Sequence, residues 1–580
     1  MSSRKGTKTN ISCACRSSVT KKRKFRGNQY AEKMSENLIS ATAAKLRRTG
    51  DMEIPLDIQH GYCILNFYTV FAAISASVIC KTCKNEVHFT KTSSRRLGFK
   101  IKLQCTCGFQ YINSSPFIDK AFEVNRLIIV AMRLLGIGRE GVNLFCGIMD
   151  IGLGLSTSCY SSVMKKFHSA SAAVYNCVLQ RAMDEEKEMT LETESSSSNL
   201  TVSGDGTWKK RGFSSRFGVT TLIGKYSKKV LDAVIKSSFC QACALSKSKM
   251  ATEEFDIWFE NHKEKCSNNH HGSAGKMEVD AAVEMFFRSV EKYGVKYTRY
   301  IGDGDCKTYK AIVDACPYGE DTIVEKKECI GHVAKRMGAR LRSVKKQSKG
   351  IGGKGKGKLT DKVIGDLTIY YGLAIRRHCH SIEEMKKAVW STFYHYASSD
   401  ENPQHTYCPP GPSSWCKWRN AETAGSLEEF SHDKPPLCDE VLKAIKPVYE
   451  NLSSQDLLER CLGAETQNNN ESLNSLIWTF APKHIHSGTA TVEIATFLAA
   501  CIFNEGFSSI LKILDTMGVK IGQQAKTYAM LRDQNRIDRS ERRASAASKK
   551  ARTARREALS DKNQFHETEE GAIYGSGLAD

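Results

Sequence analysis

Acid is scarce in this chain. Asp and Glu number 63 against 85 Lys and Arg in 580 residues, a formal net charge of +22. The imbalance points to an acidic partner, nucleic acid first. No secretory signal is found: the first 50 residues hold 13 Lys/Arg against two acids and no apolar core segment. An intracellular chain is therefore expected, its 22 cysteines serving as metal ligands and core thiols rather than a disulfide framework. One apolar stretch has the length of a membrane span, Gly61 to Ile79. It carries Asn66 and two tyrosines and runs into a Cys-x-x-Cys, so a strand followed by a buried helix is expected instead, with no membrane partner. Gly-x-Ser-x-Gly and a Walker Gly-Lys-Ser/Thr loop are both missing, which excludes nucleophile-elbow hydrolases and P-loop enzymes. No internal repeat is found. A hydrophobic share of 41% excludes a disordered protein.

At roughly 100–200 residues per domain, the length amounts to about three to five domains' worth of chain. Residues 1–55 read as a basic tail, densest at Lys21-Lys22-Arg23-Lys24-Phe25-Arg26. That run is a solvated charge cluster, a nuclear localisation signal or a phosphate-binding arm, and the rest of the chain favours the latter two. Residues 56–117 form a small cysteine module. Residues 118–192 read as helical, broken at Gly152 and Gly154, with Ser156 as an N-cap. Either a helix-turn-helix with Ser158 to Phe167 as the groove reader or a plain packing bundle fits them. Ser195 to Ser198 is a linker.

From 193 to 359 the pattern turns to strands. Leu200–Gly204, ending in Asp205, then Ser215–Tyr226 and Lys229–Phe239 form a meander. A helix over Glu278–Tyr293, a strand over Lys296–Gly302 ending in Asp303, a helix over Lys307–Ala315, a strand over Asp321–Lys326 and a helix from about His332 to Val344 follow. This β-β-β-α-β-α-β-α order is that of the ribonuclease H fold, with its first and fourth strands adjacent. Residues 360–464 read as a helical insertion with its own Cys and His, 465–530 as closing core helices, and 531–580 as a basic helix and polar tail. The fold class expected is multi-domain α/β (α+β).

Two strands end alike, in Ser203-Gly204-Asp205-Gly206 and Gly302-Asp303-Gly304-Asp305. Gly-Asp-Gly alone is a turn signal. On neighbouring strands, the two aspartates would face each other across a shared divalent cation, which removes the cost of placing like charges together. Phosphodiester chemistry with two such ions needs a third acid, and oxygen ligands suit Mg²⁺. Glu471, opening a helix behind asparagine N-caps with Asn474 one turn on, is the best candidate. Glu465 is a weaker third acid, and Asp305 a weaker alternative to Asp303.

Cys80-x-x-Cys83 with Cys105-x-Cys107 describes a zinc ribbon. Cys240-x-x-Cys243 with His262-x-x-x-Cys266 forms a second zinc candidate, for which His270 or His271 could substitute. His395, His405, Cys408 and Cys416 form a third. His88 is taken as a bystander. DNA-backbone candidates are Lys209, Lys210 and Arg211, with Trp208 beside them either stacking on a base or buried, and Arg336, Arg340 and Arg342 near the core.

SGDGTW, YIGDGDCKTY, ECIGHVAKRM and NNNESLNSLIW together resemble the Mutator-like element transposases, over roughly residues 56 to 530. The resemblance implies an Asp-Asp-Glu triad, Asp205, Asp303 and Glu471, on a ribonuclease H-like core, using Mg²⁺ or Mn²⁺. It also implies an insertion domain before the Glu, a family Cys-x-x-His at Cys329 and His332, nuclear localisation, and a homo-oligomer joining two double-stranded DNA ends. Packing or zinc binding, not catalysis, is the role expected of Cys329 and His332. The activity implied is hydrolysis at the element end, then attack of the freed 3′-hydroxyl on target DNA. The alternatives are a domesticated DNA-binding protein that no longer cuts, and a nuclease of the same fold acting on RNA–DNA hybrid.

Overall fold

The computed structural model describes residues 40–48, 53–210, 214–303, 306–353, 355–412 and 414–545. The Lys21 run, Arg211, Asp305 and the basic residues beyond 545 lie outside them.

The chain opens with α1 (Ala41–Arg47) and α2 (Phe67–Ser75). No residue of α2 is buried, which corrects the expectation of a buried helix after a strand; the residues before it pair into no strand. It is held from one side only, by Phe67 and Phe71 against Phe99 and Phe89 of the following sheet. No described helix is long and apolar enough to cross a membrane. That sheet is an antiparallel meander of β1 (His88–Arg95), β2 (Gly98–Cys105) and β3 (Gly108–Asn113). A short pair follows, β4 (Phe117–Ile118) and β5 (Ala121–Phe122), then α3 (Glu123–Leu134), α4 (Arg139–Ile148) and α5 (Thr157–Glu194).

Ser156 does cap α5, its hydroxyl accepting from the Cys159 N–H. The helix then runs for 38 residues, so the stretch expected as a groove reader is only its first three turns. Val163 and Phe167 are buried there, in a cluster shared with the C-terminal helices. The apolar face repeats at helical spacing well past Phe167, through Ala170, Val174 and Val178, and nothing in the sequence stops it.

The central sheet is built from β6 (Asn199–Trp208), β7 (Phe217–Gly224), β8 (Val230–Ser237), β9 (Lys296–Gly302) and β10 (Glu325–Glu328), in the spatial order β10-β9-β6-β7-β8. β6, β7 and β8 pair antiparallel, while β9 runs parallel to both β6 and β10. Thus β6 and β9, the first and fourth strands, are neighbours. β7 is buried at all eight positions, which suits a strand covered on both faces. Between β8 and β9 come α6 (Gln241–Lys247), α7 (Thr252–His262) and α8 (Ala274–Tyr293); α9 (Cys306–Asp314) joins β9 to β10. α8 covers one face of the sheet.

After β10 come α10 (Ile330–Gln347), α11 (Asp361–Arg377), α12 (Ile382–Ala397), α13 (Lys417–Ala424), α14 (Asp439–Leu452) and α15 (Gln455–Arg460). α10, α11, α12, α14 and α15 share one apolar cluster, with Tyr371 and Tyr449 fully buried in it. The chain then returns to the sheet through α16 (Asn468–Phe480), α17 (Thr489–Glu505), α18 (Ser508–Thr516) and α19 (Gln523–Ala544). α16 and α17, with α5, cover the sheet face opposite α8.

Candidate active site

Asp205 does not end its strand. β6 continues three residues to Trp208, paired with β7, where Asp205 lies opposite Thr221. On the other side its last partner is β9 at Ser203, and β9 stops at Gly302. The edge beside Asp205 is therefore open, and Asp303 sits where β9 leaves off. The flanking glycines serve packing rather than a turn. A Cβ on Gly204 would run into the Tyr300 ring, and one on Gly206 would stand 2.5 Å from the Glu278 carboxylate of α8. Side chains alternate along a strand, so Asp205 points the other way, toward α16.

α16 is stitched to β6 along one helical face. Gln467 Nε2 donates to Gly204 O at 2.6 Å, and Asn470 Nδ2 to Ser203 O at 3.1 Å. The Ser203 hydroxyl donates back to Asn470 Oδ1 at 2.8 Å. Asn474 Nδ2 donates to Asp205 Oδ2 at 2.7 Å, and Trp478 Nε1 to Thr207 Oγ1 at 2.8 Å. Steps of three, four and four residues put these four side chains on one stripe. The asparagines are thus not N-caps: they lie inside the first turn, and Asn470 is fully buried against the strand. Glu471 is in that first turn, at the border of the stripe.

The stripe brings the three carboxylates into one field. Burial, then the charge of Glu471 and, more weakly, that of Asp303, push the Asp205 carboxyl up to about 6 against the pull of Asn474. Asp303 and Glu471 are open to solvent, with side chains 60% and 58% exposed, and His332 stands between them. Its Nδ1 is 2.9 Å from Asp303 Oδ1 and its Nε2 3.7 Å from Glu471 Oε1. The structure thus sets His332 beside the carboxylates rather than within a Cys/His set. Cys329, one turn earlier, is buried as a core thiol. The spacing did not show this, because i and i+3 share a face within a helix; Cys329 is the N-cap residue of α10 and lies outside its regular turns. Glu465, the weaker third acid, lies elsewhere, 3.8 Å from Lys225 Nζ.

The raised Asp205 carboxyl carries a sign. Well below pH 4 it is protonated in folded and unfolded chain alike and costs nothing. As pH rises toward 6 the unfolded chain ionises first, so stability falls, by about 3 kcal/mol once both states are charged. Asp205→Asn in protein without added Mg²⁺ or Mn²⁺ is expected to raise the unfolding midpoint at pH 7.5 and leave it unchanged at pH 3. A midpoint lower than wild type at pH 7.5 would contradict the geometry.

Three Cys/His sets complete the picture. Within each, one ligand atom per residue lies within 4.8 Å of every other: Cys80, Cys83, Cys105 and Cys107; Cys240, Cys243, His262 and Cys266; His395, His405, Cys408 and Cys416. Four ligands at the usual Zn–S and Zn–N lengths sit roughly 3.3–3.8 Å apart on a tetrahedron. Cys80 and Cys107 sulfurs are 3.5 Å apart, Cys243 and Cys266 3.4 Å, and Cys416 Sγ is 3.4 Å from His405 Nδ1. The crowding splits the thiols. The Thr106 hydroxyl and the Asn85 N–H bring Cys83 down to about 6, while Cys105 and Cys80 push Cys107 up to about 12. Burial raises Cys240, but the Cys243 N–H and His262 outweigh it and bring it to about 6; burial and Cys266 lift Cys243 to about 12. A bound cation would ionise all of them, so the donor sets fit a soft divalent metal. His270 does not substitute in the second set: it is turned to Asp280 and the Ser273 carbonyl. The helix α7 ends at His262, and a short turn carries the chain to Cys266. The three carboxylates are not among the sets this close.

The basic candidates separate. Arg336 donates to the buried Glu328 at 2.7 Å, and Arg340 is bonded to Asn451, so both are engaged within the fold. Lys209 Nζ is buried, held down to about 8 by burial and by Arg133. The Trp208 indole donates to Ala274 O at 2.7 Å, which favours its structural reading. Lys210 and Arg342 are exposed.

A mixed, two-face-covered sheet with clustered carboxylates, carried with three Cys/His sets, defines an α/β protein with an acidic site and three donor sets that could hold a metal ion. A family model of Mutator-like transposases matches residues 61–416, more than half of the chain. The chain belongs to that family. The matched residues include Asp205, Asp303, Cys329, His332 and all three Cys/His sets, and they end before Glu471. No match was found among curated proteins.

Proposed function

We propose that this chain is a DNA transposase that cuts and joins DNA with Asp205, Asp303 and Glu471, on a ribonuclease H-like sheet interrupted by the helical insertion. The observation that carries the reading is the shared field of the three carboxylates, brought together by the amide stripe of α16 and the β6–β9 pairing. Asp205, Asp303 and Glu471 would hold divalent ions, Mg²⁺ or Mn²⁺. Such ions supply charge neutralisation at the scissile phosphate and activation of the attacking water. Asn474 keeps Asp205 pointing outward, and the buried Asn470 and Gln467 bonds keep Glu471 at a set distance from the strand. His332 is a positioning residue, spacing Asp303 from Glu471. The two exposed acids leave the site open to a duplex. The reaction is hydrolysis of a phosphodiester to free a 3′-hydroxyl, then attack of that hydroxyl on a second phosphodiester. No covalent protein–DNA bond is required, and positioning and charge do the catalysis.

The remaining assignments fit this reading. The three Cys/His sets hold structural Zn²⁺, the first as a zinc ribbon. The partners are the element's terminal repeats and target duplex DNA. The protein acts in the nucleus as a homo-oligomer that pairs two ends.

The test is strand cleavage of labelled DNA carrying the terminal inverted repeats that flank the gene, with Mg²⁺ or Mn²⁺, beside Asp205→Ala. Nicking at the repeat boundary that disappears in the variant is expected. Specific binding without cleavage under either metal would favour a DNA-binding protein that does not use the site.

A further inference from the structure

The side of α16 turned away from β6 faces a second feature that the carboxylate site does not use. At about 100° per residue, Asn469, Ser472, Leu476 and Thr479 lie roughly opposite the stripe of Gln467, Asn470, Asn474 and Trp478. With α19 and α1 they line a groove of about 580 Å³. On the α19 wall, Arg532, Arg536, Arg539 and Arg543 follow at steps of four, three and four, so all four share one helical face. Lys45 of α1 adds a fifth cation. The single acid lining the groove is Asp533, and its carboxylate already accepts the Phe507 N–H at 2.8 Å.

The cations at the floor are built in. Arg536 donates to Phe503 O at 3.2 Å and also reaches Ile502 O, the carbonyls near the end of α17. Lys45 is 4% exposed, its Nζ 3.3 Å from the centre of the Phe503 ring. Burial, then the charge of Arg536, holds the Lys45 ammonium well below the usual lysine range. Four arginines on one helical face, with a single acid in the lining, favour an anion. The opposite wall offers hydroxyls and an amide, from Ser472, Thr479 and Asn469, suited to hydrogen bonds with anionic oxygens. The arginine face spans 12 residues, about 16 Å, enough for the backbone of a few nucleotides of one strand.

We infer that the groove between α16 and α19 holds the sugar–phosphate backbone of a DNA strand that passes on the far side of the catalytic helix, about one helix diameter from Glu471. The inference rests on the reading of the chain as a DNA-cutting enzyme for the identity of the anion. It assigns Arg532, Arg539 and Arg543 to phosphate contacts and Arg536 and Lys45 to the floor beneath them.

The test uses the full zinc-loaded chain without added Mg²⁺ or Mn²⁺ and without chelator, so that no cutting occurs, with a labelled 30-base-pair duplex of arbitrary sequence and anisotropy readings from 50 to 200 mM salt. The variants are Arg532→Gln/Arg539→Gln/Arg543→Gln and, on the facing wall, Thr479→Glu. All four positions are exposed, and unfolding midpoints are expected to match wild type. Loss of three phosphate contacts should reduce the slope of log affinity against log salt by about 2–3 and the affinity by at least about 30-fold at low salt. Thr479→Glu should weaken binding about 5-fold or more by placing a carboxylate opposite the arginines. Unchanged affinity and slope in the triple variant would overturn the inference. So would an inert Thr479→Glu beside a weakened triple variant, since the arginines would then act outside the groove. A triple variant that loses inorganic polyphosphate but keeps duplex DNA would overturn DNA as the occupant. Because binding is read without Mg²⁺ or Mn²⁺, loss of the groove effect and loss of metal-dependent cleavage are separate results.

Discussion

Alanine at Asp205, Asp303 or Glu471 is expected to lower metal-dependent strand cleavage by at least about three orders of magnitude, without a matching loss of DNA affinity. The three acids act as a unit, so the single and double variants should be nearly equally inactive rather than additive. His332→Ala is expected to behave differently. The imidazole touches Asp303 and Glu471 but would not itself hold the ion, so its loss should cost about 10–100-fold, as removal of a ligand's supporting partner does. Raising Mn²⁺ should restore part of the His332→Ala rate and none of the Asp205→Ala rate. Cleavage measured under single-turnover conditions over a range of metal concentrations separates these outcomes. A Glu471→Ala variant that cuts at the wild-type rate would remove Glu471 from the site and reopen the question of the third acid.

The second large effect concerns metal and fold. Purified protein is expected to carry three Zn²⁺ per chain, falling to two in Cys416→Ser. His405, Cys408 and Cys416 are buried in a stretch whose helical turns, α13 and a 3-10 turn at Leu427–Glu429, bury no residue. Its order depends on aromatic contacts at the same ligands: the Trp418 ring stacks on His405 at 4.9 Å, and Trp415 sits 4.9 Å from His395. Structural zinc in small sites contributes apparent free energies of about 10–16 kcal/mol, far more than one aromatic pair. Loss of the ion should therefore open residues 398–437 while leaving the cluster around Tyr371 and Tyr449 folded. Metal analysis together with hydrogen exchange reads both halves of the prediction. Full exchange protection of 398–437 in a zinc-free Cys416→Ser protein would show that the site is not structural.

Much of the architecture could be read before any coordinates. The strand over Lys296–Gly302 has the boundaries its composition suggests, and the β6–β9 adjacency follows from a meander succeeded by crossovers. The three Cys/His sets were visible as spacings because ligands of one ion come in short local pairs. Other features were not visible. β10 lies at Glu325–Glu328, beyond the apolar run that suggested it, because Glu328 is buried by ion pairs with Lys326, Arg336 and Arg460 rather than by apolar packing. The same partner removes Arg336 from the surface where its charge had placed it.

The sequence by itself determined which residues could do chemistry: two aspartates in matched Gly-Asp phrases, a glutamate in an asparagine-rich helix start, three sets of soft ligands, and an excess of base. Periodicity and spacing are local, and they survive without a fold. Only the tertiary structure decided what each of these residues faces. Asn470 became a strand-binding group rather than a cap, Asn474 a donor to Asp205, His332 a spacer between two acids, and Arg532 to Arg543 one wall of a groove. Each of those roles depends on a partner more than a hundred residues away in the chain or on another helix, and such partners are chosen by how α10, α16 and α19 pack against the sheet and one another, not by any pattern within them.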